Sequence, residues 1–131
     1  MKVKIGITGA SGMLGTALVV HLSKEYKIFA TSRSKGVEGE NIEWDCFNLT
    51  NATLLNSWLE NVNPDIVIHC AAIVDVDLCE ENPLLTDYVH YKTMLYLLYI
   101  YPYYTVNLRM LLMKNYLECL TYYIQVRLLY F

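Results

Sequence analysis

Apolar positions in the first 70 residues change their period several times, and the changes outline an alternating plan. Val3, Ile5 and Ile7 alternate with smaller or polar neighbours as a strand does, and Met13, Leu14, Ala17, Leu18 and Leu22 then recur at helical spacing up to about Lys24. Lys27 to Thr31 reads as a second strand, the polar stretch Ser32 to Asn41, with Gly36 and Gly39, as a loop, and Ile42 to Trp44 as a brief third strand. Thr50 or Asn51 can cap a helix whose apolar face is Leu54, Leu55, Trp58 and Leu59, and Pro64 ends it. Ile66 to Cys70 is a continuous apolar run, the pattern of a strand covered on both faces of a parallel sheet. Strand, helix, strand, strand, helix, strand predicts an α/β fold with a doubly wound parallel sheet.

Past this point the pattern loses its punctuation. Eleven of the twelve tyrosines lie between Tyr88 and Phe131, whereas all six glycines and all six alanines lie before Ile73. We therefore expect an ordered unit over 1–88 and an atypical Tyr/Leu-rich tail over 89–131. Two origins fit the tail. Tyr, Leu, Ile, Asn and Lys have AT-rich codons and Gly and Ala GC-rich ones, so an AT-rich gene read out of frame from about codon 85 to 92 would yield this composition. A divergent pair of helices, Leu84 to Tyr101 and Leu108 to Leu129, would also yield the Leu, Met and Tyr spacings.

Length and charge narrow the function classes. At 131 residues the chain is the size of one ordinary domain. The net charge of -3 divides into -6 over Met1 to Asp87 (six Lys/Arg, twelve Asp/Glu) and +3 beyond (four against Glu118). Neither part has the dense basic patch of a nucleic-acid binder. Cys46, Cys70, Cys79 and Cys119 form no C-x-x-C pair, the first residues carry no signal-peptide pattern, and no metal-ligand spacing stands out, so a reduced, cytoplasmic protein without a metal is expected. Thr93 to Leu108 is uncharged but only sixteen residues long and holds Pro102 and Asn107, short of the about 20 residues a membrane span needs.

The chemistry sits in the first turn, Thr8-Gly9-Ala10-Ser11-Gly12-Met13-Leu14-Gly15. Glycines at 9, 12 and 15 fall where a strand passes into a helix, so the turn can be tight and a pyrophosphate can approach backbone N–H groups. This is a Rossmann-type arrangement, and Gly9, Ser11, Gly12, Met13, Leu14 and Gly15 are the expected cofactor contacts. At the end of the second strand, Ser32 and Arg33 would meet the adenosine ribose. No carboxylate follows that strand, so NADP(H) is favoured over NAD(H).

The G-x-x-G-x-x-G spacing and the TGASGMLG run resemble the extended short-chain dehydrogenase/reductases. That resemblance implies that Asn48 and Leu49 flank the adenine, where the family carries an Asp followed by Leu or Ile, and that Cys70, Ala71, Ala72 and Ile73 line the ribose and nicotinamide side. The stretch Ala71 to Pro83 resembles the corresponding segment of dTDP-4-dehydrorhamnose reductases, where a V-D-x-x-E-x-x-P run follows the strand, and of their non-catalytic relative, the regulatory subunit of methionine adenosyltransferase. The resemblance covers roughly Lys2 to Val89. A complete member would reduce the keto group of a dTDP-linked sugar with NADPH, using a Tyr and a Lys four residues on. Tyr88 and Lys92 have that spacing but lie too soon after Ala72 to serve, so no catalytic residue is expected here, and a dTDP-sugar would bind only if a catalytic half were supplied. His69, in the fourth strand, is expected to be a core residue rather than a catalyst.

Overall fold

The computed structural model describes residues 1–73, 75–100 and 105–107, with 98–100 and 105–107 as backbone only. The elements follow in the order β1 (Lys4–Thr8), α1 (Met13–Leu22), β2 (Lys27–Ser32), β3 (Ile42–Cys46), α2 (Ala52–Val62), β4 (Ile66–His69), α3 (Val76–Glu81), α4 (Pro83–Asp87), a π turn (Tyr88–Lys92), α5 (Thr93–Ile100) and β5 (Thr105–Asn107).

The five strands form one parallel sheet in the order β3-β2-β1-β4-β5. The chain builds leftward from β1 to β3 and then returns across the sheet to β4, so the order reverses between β1 and β4. In open α/β sheets a ligand crevice lies beyond the carboxyl ends of the strands at that reversal. Thr8 pairs in register with Thr31 on one side and His69 on the other, which brings three strand ends together there.

Side chains alternate between the two faces, and each face has its own core. Ile5, Ile7, Ile28 and Ala30 are buried against Val19 of α1, with Leu14, Leu18 and Leu22 packed around them. On the other face Val67 meets Leu55, Trp58, Leu59 and Val62 of α2 and Leu97 of α5, with Leu49 beside them. Gly6 permits that second layer: a Cβ there would stand 3.0 Å from the Trp58 ring and 3.5 Å from Pro64.

Local chemistry sets the ends of α2. The Asn51 side chain accepts from the Leu54 N–H at 3.1 Å, as an N-cap should. Asn63 closes the helix in the left-handed conformation (φ 44°), just before Pro64. Two strands run further than their apolar pattern indicates, β2 to Ser32 and β3 to Cys46, whereas α1 stops at Leu22, two residues before Lys24.

Ordered packing continues past residue 88. Thr93, Met94 and Leu97 are buried, and the Tyr96 hydroxyl donates to Asn56 Oδ1 on α2 at 2.8 Å. Where a helix was expected from Leu84 to Tyr101, the described residues to Ile100 form α4, the π turn and α5 in succession, and Tyr101 lies outside them. β5 was not visible in the apolar pattern; it pairs with β4 through Val67 and Thr105, Ile68 and Val106, and His69 and Asn107. The second expected helix, Leu108 to Leu129, and Cys119 lie outside the described residues. Among the described residues no helix is long and apolar enough to cross a membrane.

Candidate functional site

The glycine turn leaves the carboxyl end of β1, and each glycine in it answers a different steric demand. Gly9 has φ +65°, a conformation L side chains rarely adopt, and a Cβ on it would fall 2.5 Å from the Ala71 Cα and 2.7 Å from the Cys70 carbonyl carbon. Gly15 is buried in α1 directly under the turn: a Cβ there would collide with the Gly9 carbonyl oxygen and come within 2.7 Å of the Ala10 Cα. Gly12 is the N-cap of α1 and the least crowded, since its added Cβ would meet only the Gly9 carbonyl oxygen, at 3.3 Å. The turn is tied down by Gly12 N–H donating to the Gly9 carbonyl at 3.1 Å and Ala10 N–H to the Thr31 carbonyl at 3.2 Å.

This geometry leaves the amino end of α1 open. No side chain caps it and no acidic residue stands in its first turn. Ser11, Gly12 and Met13 are exposed, and Leu14 is half-buried. Uncapped N–H groups and the positive end of the helix dipole together favour an anion at that position.

Ser32 and Arg33 follow the same edge. Ser32 is buried and its hydroxyl donates to the Ser34 carbonyl, folding the chain sharply after β2, while Arg33 is exposed. The loop then passes over Trp44, whose Nε1 donates to the Val37 carbonyl at 2.8 Å. A Cβ on Gly36 would stand 2.9 Å from the Trp44 ring and 3.6 Å from the Ser11 Cα, so this loop also borders the glycine turn.

Asn48 and Leu49 occupy the loop after β3 and do different work. Leu49 is buried in the α2 core. Asn48 is exposed, and its Oδ1 accepts from the Thr50 N–H at 3.1 Å and the Thr50 hydroxyl at 3.0 Å. Beyond β4, Cys70 is buried and Ala71, Ala72 and Ile73 are half-buried. Cys70 N–H donates to the Thr8 carbonyl at 3.0 Å. At the position expected for the crevice, beyond β1 and β4, the glycine turn and the Cys70–Ile73 loop lie side by side, with Gly9 against the Ala71 backbone.

His69 lies beneath this crevice, 1% exposed, sharing a 2.6 Å hydrogen bond between its Nδ1 and the Thr8 hydroxyl. Burial pulls its pKa down from 6.5 to about 4, against the raising influence of the Val89 carbonyl, and the nearby His90 lowers it further. Its Nε2 faces Val89 without closing a well-formed hydrogen bond.

Tyr88 and Lys92 stand on the π turn. Lys92 Nζ lies 5.9 Å from the centre of the Tyr88 ring and 3.4 Å from Asp87 Oδ2. The residue that sequence reasoning missed is His90, between them, whose Nε2 accepts from the Ile73 N–H at 2.7 Å. A single histidine in a tyrosine-rich stretch carries no signal of that contact.

A parallel sheet of this order, with a tight glycine turn at its reversal point, defines a Rossmann-type domain of the extended short-chain dehydrogenase/reductases. The chain belongs to the family described as RmlD substrate binding domain, which it matches over residues 3–97. It is 33% identical over 81 residues to the probable low-salt glycan biosynthesis reductase Agl14 of Haloferax volcanii, covering 59% of this chain and 26% of that protein. Over 85 residues it is 29% identical to methionine adenosyltransferase 2 subunit beta of Xenopus laevis, covering 62% of this chain and 23% of that one. Among solved structures, a hypothetical dTDP-4-dehydrorhamnose reductase from Sulfolobus tokodaii superposes with a TM-score of 0.69 at 26% identity, over 79% of this chain and 38% of that one. The UDP-glucose 4-epimerase of Thermotoga maritima shares the fold at a TM-score of 0.68 and 19% identity, over 79% of this chain and 37% of that one. The chain spans about a quarter of the length of the curated relatives it matches.

Proposed function

We propose that this chain binds a nicotinamide dinucleotide across the crevice between β1 and β4, with NADP(H) favoured over NAD(H). The observation that carries the reading is the steric need for glycine at positions 9 and 15 beside an uncapped helix end. These leave backbone donors open to a pyrophosphate, so the residues fit the cofactor. Ser11, Gly12, Met13 and Leu14 line the pyrophosphate with Gly9 and Gly15 keeping the turn tight on α1, Ser32 and Arg33 meet the adenosine ribose, and Asn48 meets the adenine with buried Leu49 behind it. Cys70, Ala71, Ala72 and Ile73 flank the nicotinamide ribose. Exposed Arg33 at the end of β2 supplies the charge for a 2'-phosphate.

In longer members of this family a nicotinamide cofactor held by such residues would supply hydride for reduction of a keto group, as on a nucleotide sugar such as dTDP-4-dehydrorhamnose. Tyr88 and Lys92 stand on the helical segment that follows β4 and are not assigned a proton-donor role, so the reading for this chain is dinucleotide binding. We place 1–88 as the main dinucleotide-binding part, with the start of the Tyr/Leu-rich stretch 89–131 packed onto it through Thr93, Met94 and Leu97. Among the described residues Cys46, Cys70 and Cys79 form no disulfide, which suits a reducing compartment such as the cytoplasm. A second reading, a non-catalytic nucleotide-binding subunit, is favoured by the similarity to methionine adenosyltransferase 2 subunit beta.

Calorimetric titration of the folded chain with NADPH and with NADH tests the reading. Binding of NADPH in preference to NADH, lost in Gly12→Val, is the expected result. A cooperatively folded chain that binds neither overturns it. Association with a partner protein only when dinucleotide is present would select the second reading.

A further inference from the structure

The loop between β4 and α3 is held from several directions at once. Cys70 N–H bonds back to β1, the Ala71 backbone presses on Gly9, and the Cys79 thiol reaches the Ile73 carbonyl at 3.8 Å. The remaining tie is the 2.7 Å hydrogen bond from Ile73 N–H to His90 Nε2. Residues 70–73 belong to no helix or strand, so the Ile73 amide has no regular backbone partner and depends on a side chain.

The position of His90 is itself over-determined. In the π turn the Thr93 N–H donates to the Tyr88 carbonyl five residues back, and the Thr93 hydroxyl donates to the same carbonyl at 3.0 Å. Thr93 is 2% exposed, so this wide turn is anchored in the core. Within it, Lys92 lies over the Tyr88 ring, and it pairs with Asp87 just before the turn. A π turn inserts one residue relative to an α-helix and so rotates the side chains before it, a device frequent at functional sites.

We infer that His90 is a positioning residue for the dinucleotide, a staple that fixes the loop Cys70–Ile73 in the shape that receives the nicotinamide ribose. The inference rests on the dinucleotide reading above. With Nε2 engaged by a backbone amide, the imidazole fixes the loop that lies beside the glycine turn. Without that acceptor, the loop must be ordered at the moment of binding, and that ordering is subtracted from affinity.

The test compares wild type with His90→Gln and His90→Phe. Gln can place an acceptor oxygen near the position of Nε2, whereas Phe keeps a ring and offers no acceptor. NADPH is titrated by calorimetry, and amide hydrogen exchange is followed at Ile73. His90→Phe is expected to weaken NADPH binding about three- to tenfold and speed exchange at Ile73, with the β1 amides unchanged; His90→Gln should stay within about twofold of wild type on both counts. Wild-type affinity in His90→Phe, or His90→Gln as weak as His90→Phe, overturns the staple while leaving the dinucleotide reading standing. A folded wild-type chain that does not bind NADPH overturns both. If His90→Phe does not fold, His90→Gln decides alone: retained affinity and Ile73 protection support the staple, and lost affinity in a folded protein removes it.

Discussion

The part of the chain up to Ile73 and the part beyond it are attached to one sheet by different means. In the first, burial is distributed over both faces of the central strands through Ile5, Ile7, Ile28, Ala30 and Val67, while edge strand β3 has no buried residue. In the second, α3 and α4 have no buried residue, and Val76 and Leu84 are 67% and 82% exposed. That part is held by a few deep points: the Ile73–His90 and Tyr96–Asn56 hydrogen bonds, buried Thr93, Met94 and Leu97, and the pairing of β5 with β4. The first part is specified by pattern, so many positions tolerate change at modest cost. The second is specified by anchors, so most of its positions should be silent and a few decisive.

The largest effect belongs to the glycine turn. Gly15→Val should abolish cooperative folding, because its new Cβ collides with the backbone of Gly9 and Ala10, and backbone cannot swing aside as a flexible side chain can. Gly12→Val should fold, since only the Gly9 carbonyl is near, at 3.3 Å, yet it should lose the dinucleotide. Urea denaturation followed by circular dichroism separates the two. A Gly15→Val protein with wild-type stability would show that the turn does not pack as described. Next in size is Leu97→Ala, which removes a fully buried side chain from the α2 core and should cost about 4 kcal/mol. Leu84→Ala, on exposed α4, should change stability by less than about 0.5 kcal/mol. Equal effects at Leu97 and Leu84 would erase the distinction between anchors and bystanders.

The same contrast governs what could be read from the residues. Alternation at Ile5 and Ile7, the Asn51 cap, Pro64 and the glycine spacing are local signals, and each fixed its element within a residue or two. β5 escaped because three residues, Thr105–Asn107, are too few to show a period, and what makes them a strand is the free edge of β4. The extension of β2 to Ser32 and of β3 to Cys46 comes from pairing between them, with Ser32 opposite Cys46. The glycine turn was legible because its steric demand leaves a spacing in the sequence. The His90 contact joins residues 17 apart through a side chain and one amide, and no spacing rule encodes it.

A pH scan probes the seam between the two parts, where His69 of β4 faces Val89. With its pKa lowered from 6.5 to about 4 by burial, His69 binds its proton more readily in the unfolded chain. Its contribution is therefore complete above about pH 6.5 and is lost as pH falls toward 4, a difference on the order of 3 kcal/mol from this group. His69→Asn, which keeps an acceptor for the Thr8 hydroxyl, should flatten the stability profile between those pH values. Parallel profiles for wild type and variant would show that this histidine is not buried in its neutral form.

A smaller effect than that of Leu97 is expected at Tyr96, and it tests the attachment of α5 most directly. Its hydroxyl donates to Asn56 Oδ1 at 2.8 Å in a half-buried setting, and Asn56 in turn donates to Glu60 Oε1 at 2.8 Å. Tyr96→Phe keeps the ring packed beside Leu97 and deletes one hydrogen bond, so the loss should be about 1 kcal/mol. Asn56→Ala removes the acceptor instead and should cost a similar amount. If the hydroxyl and the amide act through each other, the double variant should lose little more than either single one. Fully additive losses would mean that α5 is held by its buried apolar side chains alone, and that the polar tie to α2 contributes nothing to the anchor.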